Sequence, residues 1–220
     1  MKYRIFYIMI AVATLWSCGK ECDQDFFNFR LFPEYSTDAE CILVGSELSF
    51  KLEYTDTLTS FFDTTTYDLR DYIIVTSLSI RELNDTLARL EDQGVAFDDF
   101  NVSIKTGSEA ESSFDHGAFM SFLPQRGDGS VLEISIIPQN TGVFYLSFIH
   151  GNAGVFEDPI VIDGCDDLIL ANYVNSGVVN ESLLFAFDST LVTQEKLDEL
   201  VNTRALFFFE VVEDAGDPCL

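Results

Sequence analysis

The sequence predicts a mainly β protein whose strands form an antiparallel sandwich. Three observations lead to this prediction: apolar and polar residues alternate over several short segments, turn residues separate the segments, and only two short stretches have helical spacing. The segment 48–54 is the clearest case, because every second residue in it is apolar and the residues between are polar. Short strands at such intervals are typical of a β-sandwich.

Further strands are predicted where β-branched and aromatic residues cluster between turn signals. These segments are Tyr72–Ile80, Asn101–Lys105, Leu132–Ile136 and Gly142–Ile149, separated by Gly107-Ser108, Gly127-Asp128-Gly129 and Asn140-Thr141-Gly142. Two more strands are predicted at Phe26–Phe32 and Ala205–Val212. We expect these two to pair antiparallel, near the two ends of the chain.

Two short helices are predicted, at Thr86–Gln93 and at Gln194–Asn202. The second begins after Thr193, a residue type that caps helix N-termini. It precedes 205–209, a strand that is apolar on both faces and is therefore expected to be central or covered. The segment after Cys165 is thus expected to add a strand–helix–strand layer to the sandwich, with a sub-boundary near residue 165.

The turn Asn140-Thr141-Gly142-Val143-Phe144 is similar to the Asp-x-Gly-x-Tyr turn that leads into a core strand of immunoglobulin-like domains. Phe144 stands in the place of the tyrosine, so it supplies the packing but not the hydrogen bond of that corner. The resemblance implies an immunoglobulin-like architecture and nothing about function.

The first 17 residues have the features of a signal peptide. Lys2 and Arg4 give a basic start, and the uncharged segment 5–15 is shorter than the ~20 residues that span a bilayer. The following Leu15-Trp16-Ser17-Cys18 resembles the lipobox of bacterial lipoproteins. The resemblance implies cleavage before Cys18, a diacylglycerol on its thiol and a further acyl chain on its amine.

This resemblance divides the chain into a signal peptide (1–17), a lipidated tether (18–25) and a β-sandwich domain (26–220). The tether carries Lys20, Glu21, Asp23 and Asp25, and it is similar to the charged segment of surface-exported lipoproteins. Position +2 is Gly19 rather than the Asp that resembles an inner-membrane retention signal. The implied location is the outer membrane, facing the periplasm or the cell surface.

The chain is strongly acidic, with 12 basic and 37 acidic residues and a net charge of −25. Removal of 1–17 takes away Lys2 and Arg4 and lowers the charge to −27. Nucleic acid and anionic lipid are poor partners for such a surface. The expected partners are the membrane, through the anchor, and a protein or glycan ligand, with no cofactor apart from the covalent lipid.

Five cysteines are present, and lipidation of Cys18 leaves an even set of four. In an exported chain this number predicts two disulfides, for which three connectivities exist. We predict Cys22–Cys219 and Cys41–Cys165. An antiparallel pairing of the strands 26–32 and 205–212 would place Cys22 and Cys219 at the same end.

No residue is assigned a catalytic role. His116 and His150 are the only histidines, and no Gly-x-Ser-x-Gly motif accompanies them. Carboxylate doublets are interpreted as surface charge; they are Asp98-Asp99, Glu157-Asp158 and Asp166-Asp167. Asp163, Asp166 and Asp167 offer the oxygen ligands that calcium prefers, but without EF-hand spacing, so no metal site is assigned.

The preferred hypothesis is a non-enzymatic binding or structural module of the cell envelope. Arg126-Gly127-Asp128 spells an integrin-binding tripeptide, but its glycines favour a hairpin tip. An exposed aromatic at Phe26-Phe27 or Phe61-Phe62 would mark a binding face. The alternative is a carboxylate-dependent hydrolase acting on an envelope or glycan substrate, which requires a concave pocket with converging carboxylates. A purely structural spacer would have neither feature.

Overall fold

The computed structural model describes residues 28–61, 64–70, 72–84, 89–110, 118–150, 161–162, 165–166, 170–175, 177 and 179–214. Two α-helices are found in this part of the chain, α1 (Glu181–Asp188) and α2 (Gln194–Arg204). The strands are β1 (Asn28–Leu31), β2 (Glu34–Tyr35), β3 (Cys41–Leu43), β4 (Leu48–Tyr54), β5 (Thr57–Thr59), β6 (Thr66–Asp68), β7 (Thr76–Glu82), β8 (Gly94–Val95), β9 (Phe100–Thr106), β10 (Ser108–Ala110), β11 (Met120–Leu123), β12 (Gln125–Arg126), β13 (Ser130–Pro138), β14 (Gly142–His150), β15 (Val161–Ile162), β16 (Cys165–Asp166), β17 (Leu170–Tyr173) and β18 (Phe207–Val212).

The smaller sheet of the sandwich has the strand order β12-β13-β4-β2, and β9 also pairs with β13. Its pairings are all antiparallel, with Phe50 opposite Ile134 in the β4–β13 ladder. The alternation in β4 is observed as predicted, because its apolar side chains are buried and Lys51 and Glu53 are exposed.

The larger sheet has the strand order β10-β11-β7-β14-β18-β3, with β8 beside β7. Its pairings are antiparallel except for β18 and β3, which run parallel. The long strand β14 lies between β7 and β18.

The core lies between the two sheets and is rich in aromatic rings. Phe50 of β4 stacks on Phe148 of β14, with ring centroids 4.0 Å apart. Phe100 meets Phe144 edge-on at 4.9 Å, which is the packing role that the sequence assigned to Phe144. Rings from both sheets interdigitate in this way, and the predicted β-sandwich with two short helices is confirmed.

A second core lies on the outer face of the larger sheet. There α1 and α2 cover the strands β14 and β18; the buried residues of this layer include Leu183, Leu184, Leu197, Leu200, Tyr145 and Phe208. Phe207 and Phe209 point instead into the core between the sheets. The apolar run 207–209 is therefore covered on both faces, as predicted, and the C-terminal layer contains two helices between β17 and β18.

The predicted antiparallel pairing of Phe26–Phe32 with Ala205–Val212 is wrong. Asn28–Leu31 pairs with β17 instead, and the two strands are parallel. The physical reason is that β14 and β3 already occupy the two edges of β18. Periodicity identifies a strand but not its neighbour.

The helices also differ in position from the prediction. Gln194–Arg204 matches the second predicted helix, and the side chain of Thr193 accepts a hydrogen bond from the Lys196 amide, as a cap does. The helix Glu181–Asp188 was not predicted. The range 86–93 lies partly outside the described residues, and its described part contains a short 3-10 turn at Leu90–Asp92.

Candidate functional site

One end of the sandwich carries the surface features that bear on function. We call it the Thr76 end, because β7 begins there at Thr76, whose hydroxyl lies 2.9 Å from the Tyr173 hydroxyl of β17. The strand β1 runs beside β17, and its Phe29 contacts Tyr67 of the β5–β6 hairpin, with centroids 6.0 Å apart. The other end of β7, at Glu82, pairs with β8.

Two half-exposed phenylalanines flank an arginine at the Thr76 end. Phe32 and Phe61 are each 52% exposed, and the Arg30 guanidinium lies 3.5 Å from the centroid of the Phe61 ring. Side chains alternate between the two faces of an extended chain. Phe29 and Leu31 are buried, so Arg30 and Phe32 lie on the outer face. We call Arg30, Phe32 and Phe61 the aromatic patch.

The β5–β6 hairpin presents Phe61 in its connecting turn. The amide of Ser60 donates to the Thr65 carbonyl at 2.8 Å, and the amide of Thr64 donates to the Ser60 carbonyl at 3.2 Å. The Ser60 side chain is buried, so the turn is fixed to the body on one side while Phe61 faces outward. A cation over a ring contributes about 0.5–1 kcal/mol at an exposed site, which favours this placement of Arg30.

The carboxylates of two aspartates near the patch are each paired with an arginine. Arg70 forms an ion pair with Asp68, and its hydrogen bonds lower the pKa of Asp68 to about 2. Arg126 lies 3.5 Å from Asp56, and both side chains are 26% exposed. Two acidic side chains are thus paired here, whereas Glu34, two positions after Phe32, is exposed.

A cleft of about 420 Å³ opens beside the β12–β13 hairpin. Its lining residues are Glu53, Tyr54, Thr55, Thr106, Gln125, Arg126, Gly127, Asp128, Gly129, Ser130 and Val131. Tyr54 forms part of the wall; burial raises the pKa of this tyrosine, and its hydroxyl accepts a hydrogen bond from the Ile74 amide at 3.4 Å. This phenol therefore stays protonated at neutral pH.

The Arg126 side chain is directed at the backbone of the neighbouring loop. Its guanidinium donates to the carbonyls of Tyr72 at 2.5 Å and Leu69 at 3.3 Å, and also to that of Arg70. The amide of Gly127 donates to the Gly129 carbonyl at 2.8 Å and closes the hairpin tip. Arg126-Gly127-Asp128 thus forms a structural turn and holds the loop 69–72, and its arginine is not presented outward.

Two carboxylates, those of Glu53 and Asp128, line the cleft. Glu53 forms an ion pair with Lys51 at 2.7 Å. A small cavity of about 50 Å³ beside α2 is lined by two arginines, by Tyr145 and Ser147 and by apolar residues. Within the described residues, no group of three or more His, Cys, Asp or Glu side chains is arranged to hold a metal ion.

The doublet Asp98-Asp99 lies in a short 3-10 turn before β9. Asp99 accepts a hydrogen bond from the Asn140 side chain at 2.7 Å, and Asp98 is exposed. This doublet therefore connects two loops and has the surface character that the sequence indicated.

Most of the other residues singled out in the sequence lie outside the described part of the chain. This holds for the predicted lipidation site Cys18, and also for Cys22, Cys219, Phe26, Phe27, Phe62, His116, Glu157, Asp158, Asp163 and Asp167. Cys41 lies in β3 and is disulfide-bonded. The side chains of Cys165 and His150 are not described, so the pairings Cys41–Cys165 and Cys22–Cys219 stay predictions.

Sequence reasoning missed the Arg30–Phe61 contact and the Arg126 contacts. Arg30 and Phe61 are 31 positions apart, and Arg126 reaches a loop more than 50 positions earlier. Only the adjacent pair Phe61-Phe62 gave a signal, since two neighbouring aromatics in a strand-rich segment cannot both face the same core.

Comparisons with known proteins give no family. No family model matches the chain, and no curated protein matches it. A solved structure of AvmM, which catalyses macrocyclization in alchivemycin A biosynthesis, is similar with a TM-score of 0.33 and 10% identity, over 85% of this chain and 91% of that chain. A likeness this distant does not bear on function. No helix among the described residues has the length and apolarity needed to cross a membrane.

Proposed function

We propose that this chain is an extracytoplasmic lipoprotein, anchored to a membrane by lipid on Cys18, with a non-catalytic binding or structural role in the cell envelope. The observation that carries the proposal is the sequence Leu15-Trp16-Ser17-Cys18 after a short apolar segment with a basic start. Two or three acyl chains make a stable anchor, because one chain alone binds only marginally.

The position of the folded body is compatible with such an anchor. The first described strand begins at Asn28, ten residues after Cys18. A fully extended segment of this length spans at most about 35 Å, so the body would stay close to the bilayer. The outer membrane, with the body facing the periplasm or the cell surface, is the proposed location.

The surface supports a binding module better than an enzyme. The aromatic patch is exposed, whereas Glu53, one of the two carboxylates that line the cleft, is paired with Lys51. The second candidate, a carboxylate-dependent hydrolase, has only the shared location of Glu53 and Asp128 in its favour. A chain of net charge −27 after processing also disfavours nucleic acid as a partner.

Substitution of two nearby cysteines tests the anchor. Cys18→Ser is expected to abolish metabolic labelling with a palmitate analogue and to release the protein from the membrane fraction. Cys22→Ser is the matched control, four positions later, and it should keep both the label and the membrane location. Labelling of the Cys18→Ser protein at the wild-type level would refute the proposal.

A further inference from the structure

We propose that the aromatic patch seats the folded body on the lipid bilayer, with Phe32 and Phe61 at the boundary between headgroups and acyl chains and Arg30 at the level of the lipid phosphates. This inference rests on the proposed anchor at Cys18. It adds a second contact with the same membrane and a defined orientation of the body.

The tether brings the patch to the membrane. Phe32 follows Cys18 by 14 positions, and Arg30 follows it by 12. Ten residues separate Cys18 from Asn28 and span at most about 35 Å, so an anchored chain keeps β1 within that distance of the headgroups. Contacts that would be too weak for a free protein become effective when a tether raises the local concentration in this way.

The patch has the chemistry of an interfacial contact. Phe61 lies in the turn of the β5–β6 hairpin and Phe32 follows the end of β1, and both rings are 52% exposed. Arg30 stacks its guanidinium on the Phe61 ring, so its charge is held beside apolar surface. In a bilayer surface the phosphates lie outside the acyl-chain boundary. Apolar rings at that boundary and a cation at the level of the phosphates match this order.

The charges around the patch are mixed. Asp68 and Asp56 are each paired with an arginine, whereas Glu34, two positions after Phe32, is exposed, and the processed chain as a whole carries −27. We therefore expect the contact to form on a zwitterionic bilayer and to change little with salt, because apolar burial rather than net attraction drives it.

The contact would orient the sandwich with the Thr76 end of β7 towards the bilayer and the Glu82 end away from it. The patch lies at the Thr76 end, whereas Val95 of β8 is 44% exposed and belongs to the end where Glu82 pairs with Gly94. The strand β7 has seven residues, so its two ends lie six steps apart, a distance of about 20 Å at 3.3 Å per residue. A body seated on the patch would hold Val95 away from the acyl chains.

Tryptophan fluorescence tests the orientation directly, because Trp16 is the only tryptophan and is removed with residues 1–17. Phe32→Trp, Phe61→Trp and Val95→Trp each give a lipidated mature protein with one tryptophan. The proteins are reconstituted in phosphatidylcholine vesicles whose acyl chains are brominated. We expect at least two-fold quenching at positions 32 and 61 and none at position 95.

Three outcomes would overturn the inference, and they are distinguishable. Vesicle-bound protein with equal, weak quenching at all three positions would show that the anchor exists but that the patch does not touch the bilayer. Quenching at position 95 alone would show the reverse orientation. Failure to sediment with vesicles would refute the anchor and this inference together. Wild-type protein should show no tryptophan emission, which checks that residues 1–17 have been removed.

Discussion

At the scale of single residues, a few arginines organise the Thr76 end of an acidic chain. Arg126 donates to three backbone carbonyls and faces Asp56, so it ties the β12–β13 hairpin to the neighbouring backbone at Leu69, Arg70 and Tyr72. Arg30 stacks its guanidinium on the ring of Phe61 and so connects β1 with the turn of the β5–β6 hairpin. Guanidinium groups suit this role because their five donors lie in a fixed plane.

Removal of the Arg126 guanidinium should therefore destabilise the fold. We expect Arg126→Met to lower the free energy of unfolding by about 1–3 kcal/mol, since the carbonyls and Asp56 lose a charged donor. Asp128→Asn, at the same hairpin tip, should change it by less than about 0.5 kcal/mol. Urea unfolding of both variants measures the difference; equal effects would contradict the structural role of Arg126.

The pH dependence of Asp68 is a second prediction at this scale. Hydrogen bonds from Arg70 lower the pKa of Asp68 from 3.8 to about 2. Because the pKa is lowered in the folded state, the pair contributes above pH 4 and this contribution is lost as the pH falls towards 2.

Carbon-detected NMR should show the Asp68 midpoint near 2 in the wild type and higher in Arg70→Gln, though still below its ordinary value, because the backbone amide of residue 70 keeps its hydrogen bond to Asp68. Asp188 is the internal control, because its pKa is lowered by the amide and hydroxyl of Thr190 and should not respond. An Asp68 midpoint that is the same in both proteins would disprove the role of Arg70.

At the scale of elements, β18 holds the two cores together. Phe207 and Phe209 face the smaller sheet, and Phe208 lies under α1 and α2. A strand with both faces covered cannot lose a large side chain without leaving a cavity.

We expect Phe208→Ala to cost about 3–5 kcal/mol in the free energy of unfolding. Val95→Ala removes an exposed apolar side chain from a short strand and should cost less than about 0.5 kcal/mol. Thermal and urea unfolding of the two variants provide the comparison, and a small effect of Phe208→Ala would show that the helices do not pack on β18 as described.

The elements also show how far the sequence alone leads. The strand β4 and the helix α2 are predicted because their periodicity and cap are local features. The helix α1 is missed because Leu183 to Phe187 is a short apolar run, and such a run is equally consistent with a buried strand. The partner of β1 is missed because strand pairing depends on which sheet edges remain open in three dimensions.

The candidate site follows the same rule. The sequence indicates an aromatic at Phe61-Phe62, and it indicates a turn at Arg126-Gly127-Asp128. It does not indicate that Arg30 stacks on Phe61 or that Arg126 binds the loop 69–72, because both contacts join segments that are far apart in the chain. Long-range contacts of this kind arise from the packing of the whole domain.

At the scale of the whole molecule, we propose that a lipid at Cys18, a short acidic tether and an exposed patch act on one membrane. The sandwich supplies a rigid body, and two cores on either side of the larger sheet fix its shape. The patch then determines which end of this body faces the lipid. The opposite end, with β8, would be left for partners in the envelope.

Intact-mass spectrometry of the protein purified from its membrane measures the proposed lipid anchor itself. We expect a polypeptide that begins at Cys18 and carries the added mass of a diacylglycerol and an acyl chain, with fragmentation placing that mass on Cys18. A chain that begins elsewhere, or that begins at Cys18 without lipid, would contradict it.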